Sequence, residues 1–488
     1  MRQLLADATL VGVGGGLLGV GLSVLGIGVL DTLRPLGIAG ATGVALDGPV
    51  LGFALAVSVL SVLGFALIPS LRVARGALPV GLAGGRGSAG RGPGVRRRFT
   101  RGLVPVQTGL AVILVLAAAL VTRSFGRLQA EDTGIEPEGV WTVSVAIPDA
   151  RYPDRDAVVG FYDRLVERVE ALPGVRRAAV TGGIPLTFAG WTSQVVARDW
   201  DPGRVAYDVR HRASTPGYFE VMGVPVVAGR AFEPADGRAP PYVAVVNEAF
   251  VDAHFGGAPA LGRQVTFDRE PDENSVWRTI VGVVGSERQA TLSQPAAPEV
   301  WEPFPQDWGA NRTVVLRTTG DPETLRDALA GALGDVDPAV PLGRLRSMEE
   351  VVRLASADAR FLSLLFSLFA GLALALAALG IYGVTAQVVR QNVPEFGVRM
   401  ALGADGGAVV RMVLGRTLWL AGAGVVGGSV VALLGAGTMQ SLLYSTAARD
   451  PLAFSVAPVL LLVVALAAAW WPATRAARVD PVRSLRAE

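Results

Sequence analysis

The sequence predicts a membrane α-helical protein of six transmembrane helices with a large α/β extracytoplasmic domain inserted between spans 3 and 4. Three features predict this. The chain of 488 residues is 51% hydrophobic and only 18% charged, well under the roughly 25% charge of soluble domains. Uncharged apolar runs, each about as long as a bilayer core is thick, are spaced along it, and residues 124–359 interrupt them with the patterns of a folded domain. Arginines gather on the flanks of alternate runs.

Taken in order, residues 8–30 and 48–71 are uncharged, and at ~1.5 Å rise per residue each reaches across the ~30 Å hydrocarbon layer. A cleaved signal peptide would have an apolar region of ~7 to 15 residues behind a basic flank. The first run is longer than that, and Asp7 stands in its flank. Residues 72–101 are rich in glycine and arginine, with Arg86, Arg91, Arg96, Arg97, Arg98 and Arg101. This composition predicts a flexible basic linker on the cytoplasmic side. No aromatic platform accompanies the arginines, so nucleic acid is not expected as a partner. Residues 102–122 form the third run, which ends at Arg123 and delivers the chain to the other side.

Within 124–359, residues 140–147 alternate like a strand. Val158, Phe161, Leu165, Val169 and Leu172 then recur at helical spacing until Pro173-Gly174, and 175–181 reads as the next strand. A strand-rich portion follows, marked by Gly217-Tyr218-Phe219, Met222-Gly223-Val224, Ala228-Gly229-Arg230, 243–248 and 280–285. Strand 314–317 and helix 322–336 close the domain. Two small lobes of βαβ type are the expected arrangement. Cysteine is absent, so the domain must be held by its core without disulfides.

Catalytic, cofactor and metal sites are not assigned. His211 and His254 are the two histidines, and neither stands at metal-ligand spacing from a carboxylate or from the other. Asp199, Asp201, Asp236, Asp268, Asp272 and Glu273 fall in turn-like loops and read as solvated charges. Gly182-Gly183 and Gly256-Gly257 read as turns. All 44 basic residues are arginine, so no Gly-x-x-x-x-Gly-Lys phosphate loop exists and the chain is not itself a P-loop ATPase.

Residues 362–386 form the fourth run, bracketed by Arg360 and Arg390. Directly beyond it a short amphipathic helix is expected over 394–402. Pro394 is tolerated in its first turn, Glu395 and Arg399 pair at i,i+4, Phe396 and Met400 share a face, and Gly403 supplies the stop. Such a helix either docks on a cytoplasmic partner or rests on the lipid surface. Runs 417–439 and 452–474 complete the six spans. No span carries an ionisable residue at its centre, which disfavours a secondary transporter. Gly422, Gly424, Gly427, Gly428, Gly435 and Gly437 allow close helix packing, as in a dimer or against another helical unit.

The string Glu395-Phe396-Gly397-Val398-Arg399-Met400-Ala401-Leu402-Gly403-Ala404, two further spans and the terminal Pro472-Ala473-Thr474-Arg475-Ala476-Ala477-Arg478-Val479-Asp480-Pro481 together resemble the permease domain of the MacB/FtsX family of ABC systems. The strand-rich portion of 124–359 resembles the extracytoplasmic core domain of MacB-like permeases. The resemblance implies that Glu395, Phe396, Arg399 and Met400 contact an ATPase. It implies a membrane permease-type subunit, not an enzyme. That subunit would couple ATP hydrolysis by a separate cytoplasmic ABC ATPase to movement of the extracytoplasmic domain, in export (efflux) or in mechanotransmission. The implied partners are that ATPase, membrane lipid, a second copy or another permease unit, and a periplasmic partner. The competing reading is a membrane scaffold or sensor that binds a partner through its extracytoplasmic domain without transport.

Pro69, Arg72, Ala74 and Arg75 recur as Pro472, Arg475, Ala477 and Arg478, in each case closing an apolar run. Residues 1–82 are therefore expected to be the last two spans of a first permease repeat, as in the duplicated orphan members of the family with the leading part missing. Residues 83–101 would be the cytoplasmic linker, 102–123 a span, 124–359 the extracytoplasmic core and 360–488 an FtsX-like permease domain with three spans. Both termini then lie in the cytoplasm. Segments 387–416 and 475–488 carry four arginines each, against one each in 31–47 and 440–451, which agrees with that orientation in a bacterial inner membrane.

Overall fold

The computed structural model describes residues 94–477, except 188–190, 202, 238, 321 and 441–442, together with isolated helical positions between 12 and 58. The expected spans at 8–30 and 48–71, and the repeat drawn from them, otherwise lie outside the described residues. The chain forms two units, Met1–Arg127 with Ala357–Glu488, and Leu128–Ser356.

Helix α1 (Gly94–Gln129) opens the described chain. It begins inside the stretch expected to be a flexible linker. Arginine is a good helix former, and Arg96, Arg97, Arg98 and Arg101 extend the helix of the third span backwards instead of breaking it. The second unit then runs β1 (Val140–Ala146), α2 (Arg155–Glu170), β2 (Val175–Thr181), β3 (Trp191–Ala197), β4 (Ala206–Ser214), α3 (Tyr218–Met222) and β5 (Val226–Gly229). It continues through β6 (Val243–Asn247), α4 (Glu248–Phe255), β7 (Gln264–Thr266), β8 (Arg278–Val284) and β9 (Glu299–Pro303). It ends with β10 (Asn311–Thr318), α5 (Pro322–Val336), β11 (Leu345–Ser347) and α6 (Met348–Ala355).

Two lobes result. In the first, strands lie in the order β11, β1, β10, β2, all antiparallel, with α2 and α5 packed on them. This is a β-α-β-β-α-β unit of ferredoxin-like order, split between β2 and β10 to admit the second lobe. Its core is the helical stripe read from the sequence, Val158, Phe161, Leu165 and Val169, set against Val143, Val145, Val180, Val314 and Leu316. Asp154 caps α2 by accepting from the Ala157 backbone at 2.8 Å. The Tyr162 hydroxyl, buried with the core, donates towards the carbonyls of Val145 (3.0 Å) and Ala310 (2.8 Å).

The second lobe differs from the expected βαβ repeat. Strands β4, β3, β7, β8, β6 and β9 pair in turn, and β9 returns to β4, so the sheet closes into a ring. Most pairings are antiparallel; β4 with β9 and β6 with β8 are parallel. Closure removes edges that would otherwise invite pairing with another chain. Gly217-Tyr218-Phe219 and Met222-Gly223, expected among strands, form the short helix α3. Its ends are set by Gly217 (φ 94°) and Gly223 (φ 71°), a left-handed backbone that favours glycine.

An ionic cluster is buried here. Arg212 pairs with Glu287 at 2.5 Å and with Glu299, Tyr218 Oη donates to Glu287 at 3.0 Å, and Gln289 Nε2 donates to Glu299 at 2.6 Å. Both carboxylates are fully buried. Asp236, read from the sequence as a solvated loop charge, is likewise buried, held by Arg230 through bonds of 2.7 and 2.9 Å. His211 meets Glu302 at 2.5 Å, and His254 packs on the ring of Phe250, centroids 4.9 Å apart.

The first unit contains α1, α7 (Ala357–Gln391), α8 (Val393–Ala401), α9 (Gly406–Met439) and α10 (Pro451–Ala476). Among the described residues four helices are long and apolar enough to cross a membrane: Gly102–Gln129, Ala357–Gln391, Gly406–Met439 and Pro451–Ala476. The apolar stretch of α1 is 61% buried, against 17–28% in the other three, so α1 is the central helix. Its Val112, Leu116 and Leu120 pack with Ala370, Ala377, Val425 and Leu461 from α7, α9 and α10. At one end of this bundle Arg123 pairs with Asp450 at 3.1 Å. Beside it, Ser124 Oγ accepts from the Tyr444 backbone at 2.7 Å and Arg127 donates to the Ser445 carbonyl. These bonds fasten the loop between α9 and α10 to α1.

Candidate functional site

The opposite end of the bundle carries α8 and most of the arginines. Helix α7 ends at Gln391, where the Asn392 side chain donates to the Val388 carbonyl at 2.6 Å. Helix α8 follows immediately, with Pro394 in its first turn and Gly403, at φ 92°, ending it as the sequence implies.

The four residues read from the sequence separate into two sets. Glu395 and Arg399 form the expected i,i+4 pair at 2.6 Å, with both side chains about half exposed. Phe396 and Met400 do share a face, but that face turns into the protein. Phe396 is only 4% exposed and packs with Val389, Val409, Val413, Ala473 and Ala476, while Met400 lies partly buried against the same cluster. Neither side chain is free to fill a partner's groove. The outward apolar side chains are Val398, 45% exposed, and Leu402, 84% exposed. Like the inward pair they stand four apart, and so share their own face of the helix. The sequence shows two apolar pairs on one short helix; which of them faces inward depends on the neighbouring helices.

Beside α8 a small cleft of about 70 Å³ lies between α1, α7 and α9. Val104, Val384, Val388, Phe396, Val413 and Leu420 give it apolar walls. Thr385, Asn392, Glu395, Arg416 and Thr417 supply its polar lining. Trp419 and Trp471 are exposed at this end, and the Arg475 guanidinium stacks 4.7 Å from the Trp471 ring. Exposed tryptophan next to arginine is the pattern of a membrane–water interface.

The glycines of α9 also divide. A Cβ on Gly424 would stand 2.8 Å from the Pro105 Cα, and one on Gly428 would stand 2.8 Å from the Gly109 Cα, so these two seat α9 on α1 of the same chain. Gly422, Gly427, Gly435 and Gly437 have no such neighbour within 4 Å.

Family comparison gives two matches in tandem, a MacB-like periplasmic core domain over residues 108–332 and an FtsX-like permease C-terminal domain over 367–481. The chain belongs to the MacB/FtsX-like permeases. By family it is an ABC transporter permease, a multi-pass membrane-helical protein with a MacB-like periplasmic core domain. Among curated relatives, this permease is 22% identical over 409 residues to the macrolide export ATP-binding/permease protein MacB of Neisseria meningitidis serogroup B, covering 78% of this chain and 58% of that protein. It is 25% identical over 304 residues to the pyoverdine export ATP-binding/permease protein PvdT of Pseudomonas aeruginosa, 59% of this chain and 43% of the relative. The permease thus spans about half the length of the curated relatives it matches, 58% of one and 43% of the other. Among solved structures, the periplasmic region of MacB from Actinobacillus actinomycetemcomitans aligns with a TM-score of 0.32 at 12% identity, over 45% of this chain and 93% of that one.

Proposed function

We propose that this permease is the membrane subunit of an ABC system, coupling ATP hydrolysis by a separate cytoplasmic ATPase to movement of residues 124–359 outside the cytoplasm, in export or mechanotransmission. The observation that carries this is the stance of α8. One face is locked through Phe396 into helices α7, α9 and α10, and the other presents Val398, Leu402 and the Glu395–Arg399 pair outwards. A short helix held this way transmits a push on its outer face to the spans, because the packed core behind it does not yield. The export named for the MacB and PvdT relatives supports the same reading.

The topology that accompanies it has six crossings with both termini in the cytoplasm and the core domain inserted between the third and fourth. Residues 1–82 act as the end of a first repeat, and 360–488 are the FtsX-like domain. The arginines of 387–416 and the exposed tryptophans at the α8 end support that orientation.

The test is purification of the full chain from native membranes with identification of any co-purifying ATPase. Leu402→Asp and Val398→Asp should abolish co-purification without changing membrane retention. An ATPase that still co-purifies with both variants removes α8 as the docking surface. A scaffold that works without an ATPase would yield none from the unaltered chain.

A further inference from the structure

A cavity of about 430 Å³ opens on the second lobe, between the turn that joins β3 to β4 and the C-terminal end of α4. Asp199, Trp200 and Arg204 line it from the turn, Ala253 and His254 from α4, and Arg263 from just ahead of β7. We propose that it binds a small organic carboxylate, with a carboxylate group seated on Arg204. The site lies wholly within Leu128–Ser356 and is independent of any ATPase.

Charge selects an anion. Arg263 is paired with Asp199 at 2.7 Å. Arg204 stacks 4.5 Å from the Trp200 ring and donates to the His254 carbonyl at 2.9 Å, and no carboxylate among the described residues pairs with it. Burial, and after it the Arg204 charge, hold the pKa of His254 below the ordinary 6.5, so the imidazole is neutral at pH 7. Two arginines against one aspartate then leave the lining with one net positive charge.

Geometry and size narrow the anion. Stacking on Trp200 holds the Arg204 guanidinium in place, and its remaining N–H donors form the fork that a carboxylate accepts. Asp199 on Arg263 is the same chemistry already present in the cavity. At ~30 Å³ per water the space holds roughly fourteen waters, room for about a dozen non-hydrogen atoms and within the range of small-molecule sites. Inorganic phosphate would fill only part of it. Trp200 Nε1 and His254 Nε2 are buried in the wall without a hydrogen-bond partner, a polarity that the chain itself leaves unused.

The test titrates citrate by calorimetry into the full chain purified in detergent, at constant ionic strength. One citrate per chain should bind saturably. Arg204→Gln should weaken it at least tenfold, and Arg204→Lys less, since lysine keeps the charge and loses the fork. Asp199→Asn frees Arg263 and should tighten binding several-fold. Ala253→Trp, which fills the cavity and leaves every charge in place, should abolish it. Absence of saturable binding, an affinity unmoved by both Arg204→Gln and Asp199→Asn, or binding that survives Ala253→Trp overturns the proposal. Inorganic phosphate that binds as tightly as citrate would make this an unselective anion patch and overturn it equally. If Arg204→Gln fails to fold, Asp199→Asn and Ala253→Trp still decide. None of these measurements needs an ATPase, so failure of carboxylate binding and failure of ATPase docking are separate results.

Discussion

Gly428 of α9 lies so close to Gly109 of α1 that a Cβ placed on it would stand 2.8 Å from the Gly109 Cα. Real Cβ atoms do not approach that closely, and backbone cannot rotate away as a side-chain tip can. Gly428→Leu should therefore push α9 off the central helix, at a cost of roughly 1 to 3 kcal/mol or more from overpacking. Gly427→Leu, one residue away in open space, should leave the fold unchanged. Thermal unfolding of the two purified variants in detergent checks this contrast. Equal midpoints would mean that the α1–α9 contact is not the seat of the bundle.

The unit Leu128–Ser356 has two apolar cores of its own, so the excised fragment should fold without the spans. Within it, Arg212 is the cation between two buried carboxylates, Glu287 and Glu299. Burial raises the pKa of Glu299 and the Arg212 charge opposes that rise. Arg212→Met would leave both acids buried without their counterion, a loss of about 3 to 5 kcal/mol. Denaturant unfolding of the fragment measures it, and a change under about 1 kcal/mol would contradict the role assigned to Arg212.

The same fragment should lose stability in mild acid through His254. Burial disfavours its charged form and the nearby Arg204 opposes it further, so its pKa is lowered from the ordinary 6.5. The unfolded chain then binds more protons than the folded one between the two pKa values, and stability falls as pH drops below about 6.5. His254→Gln should flatten that slope. At lower pH a second loss is expected. Burial alone would raise the pKa of Glu302, but His211 and Arg278 hold it below the usual value, and protonating it breaks those bonds. Chemical denaturation across the pH range, with and without the substitution, separates the two limbs.

The sequence was most informative where a pattern is local. Strand β1, helix α2 and strand β2 lie within three residues of where alternation, helical spacing and Pro173-Gly174 put them. Asn247, inside the 243–248 stretch of the strand-rich portion, ends β6 and caps α4 by accepting from the Phe250 backbone. The ring of the second lobe was not legible. It closes through β4 and β9, which pair Arg210 with Glu299 across a long stretch of chain, and through the three-residue β7, too short to show a period. The start of α1 was missed because glycine and arginine read as linker, although arginine is compatible with helix. At α8 the helix, its ion pair and its glycine stop were all visible. Its orientation was not, since Phe396/Met400 and Val398/Leu402 are both apolar pairs four apart, and only packing against α7, α9 and α10 distinguishes them.

That distinction gives the last prediction. If Phe396 anchors α8 and Leu402 docks it, truncating each should fail in a different way. Phe396→Ala empties a side chain enclosed by Val389, Val409, Val413, Ala473 and Ala476, and should cost about 3 to 5 kcal/mol of bundle stability. Leu402→Ala removes an exposed side chain, so the melting temperature should not move while ATPase binding weakens by roughly 2 kcal/mol, the loss expected of an interface anchor. Glu395→Arg sets like charge beside Arg399, and should weaken the exposed helix by about 0.2 to 0.5 kcal/mol. Thermal melting and ATPase co-purification on the same three preparations give the answer. A helix resting on the lipid surface predicts tighter membrane association for Glu395→Arg and indifference to Leu402→Ala. A docked helix predicts loss of the ATPase from Leu402→Ala at an unchanged melting temperature. Phe396→Ala should lower the melting temperature whether or not an ATPase is present, because its partners are all within the chain.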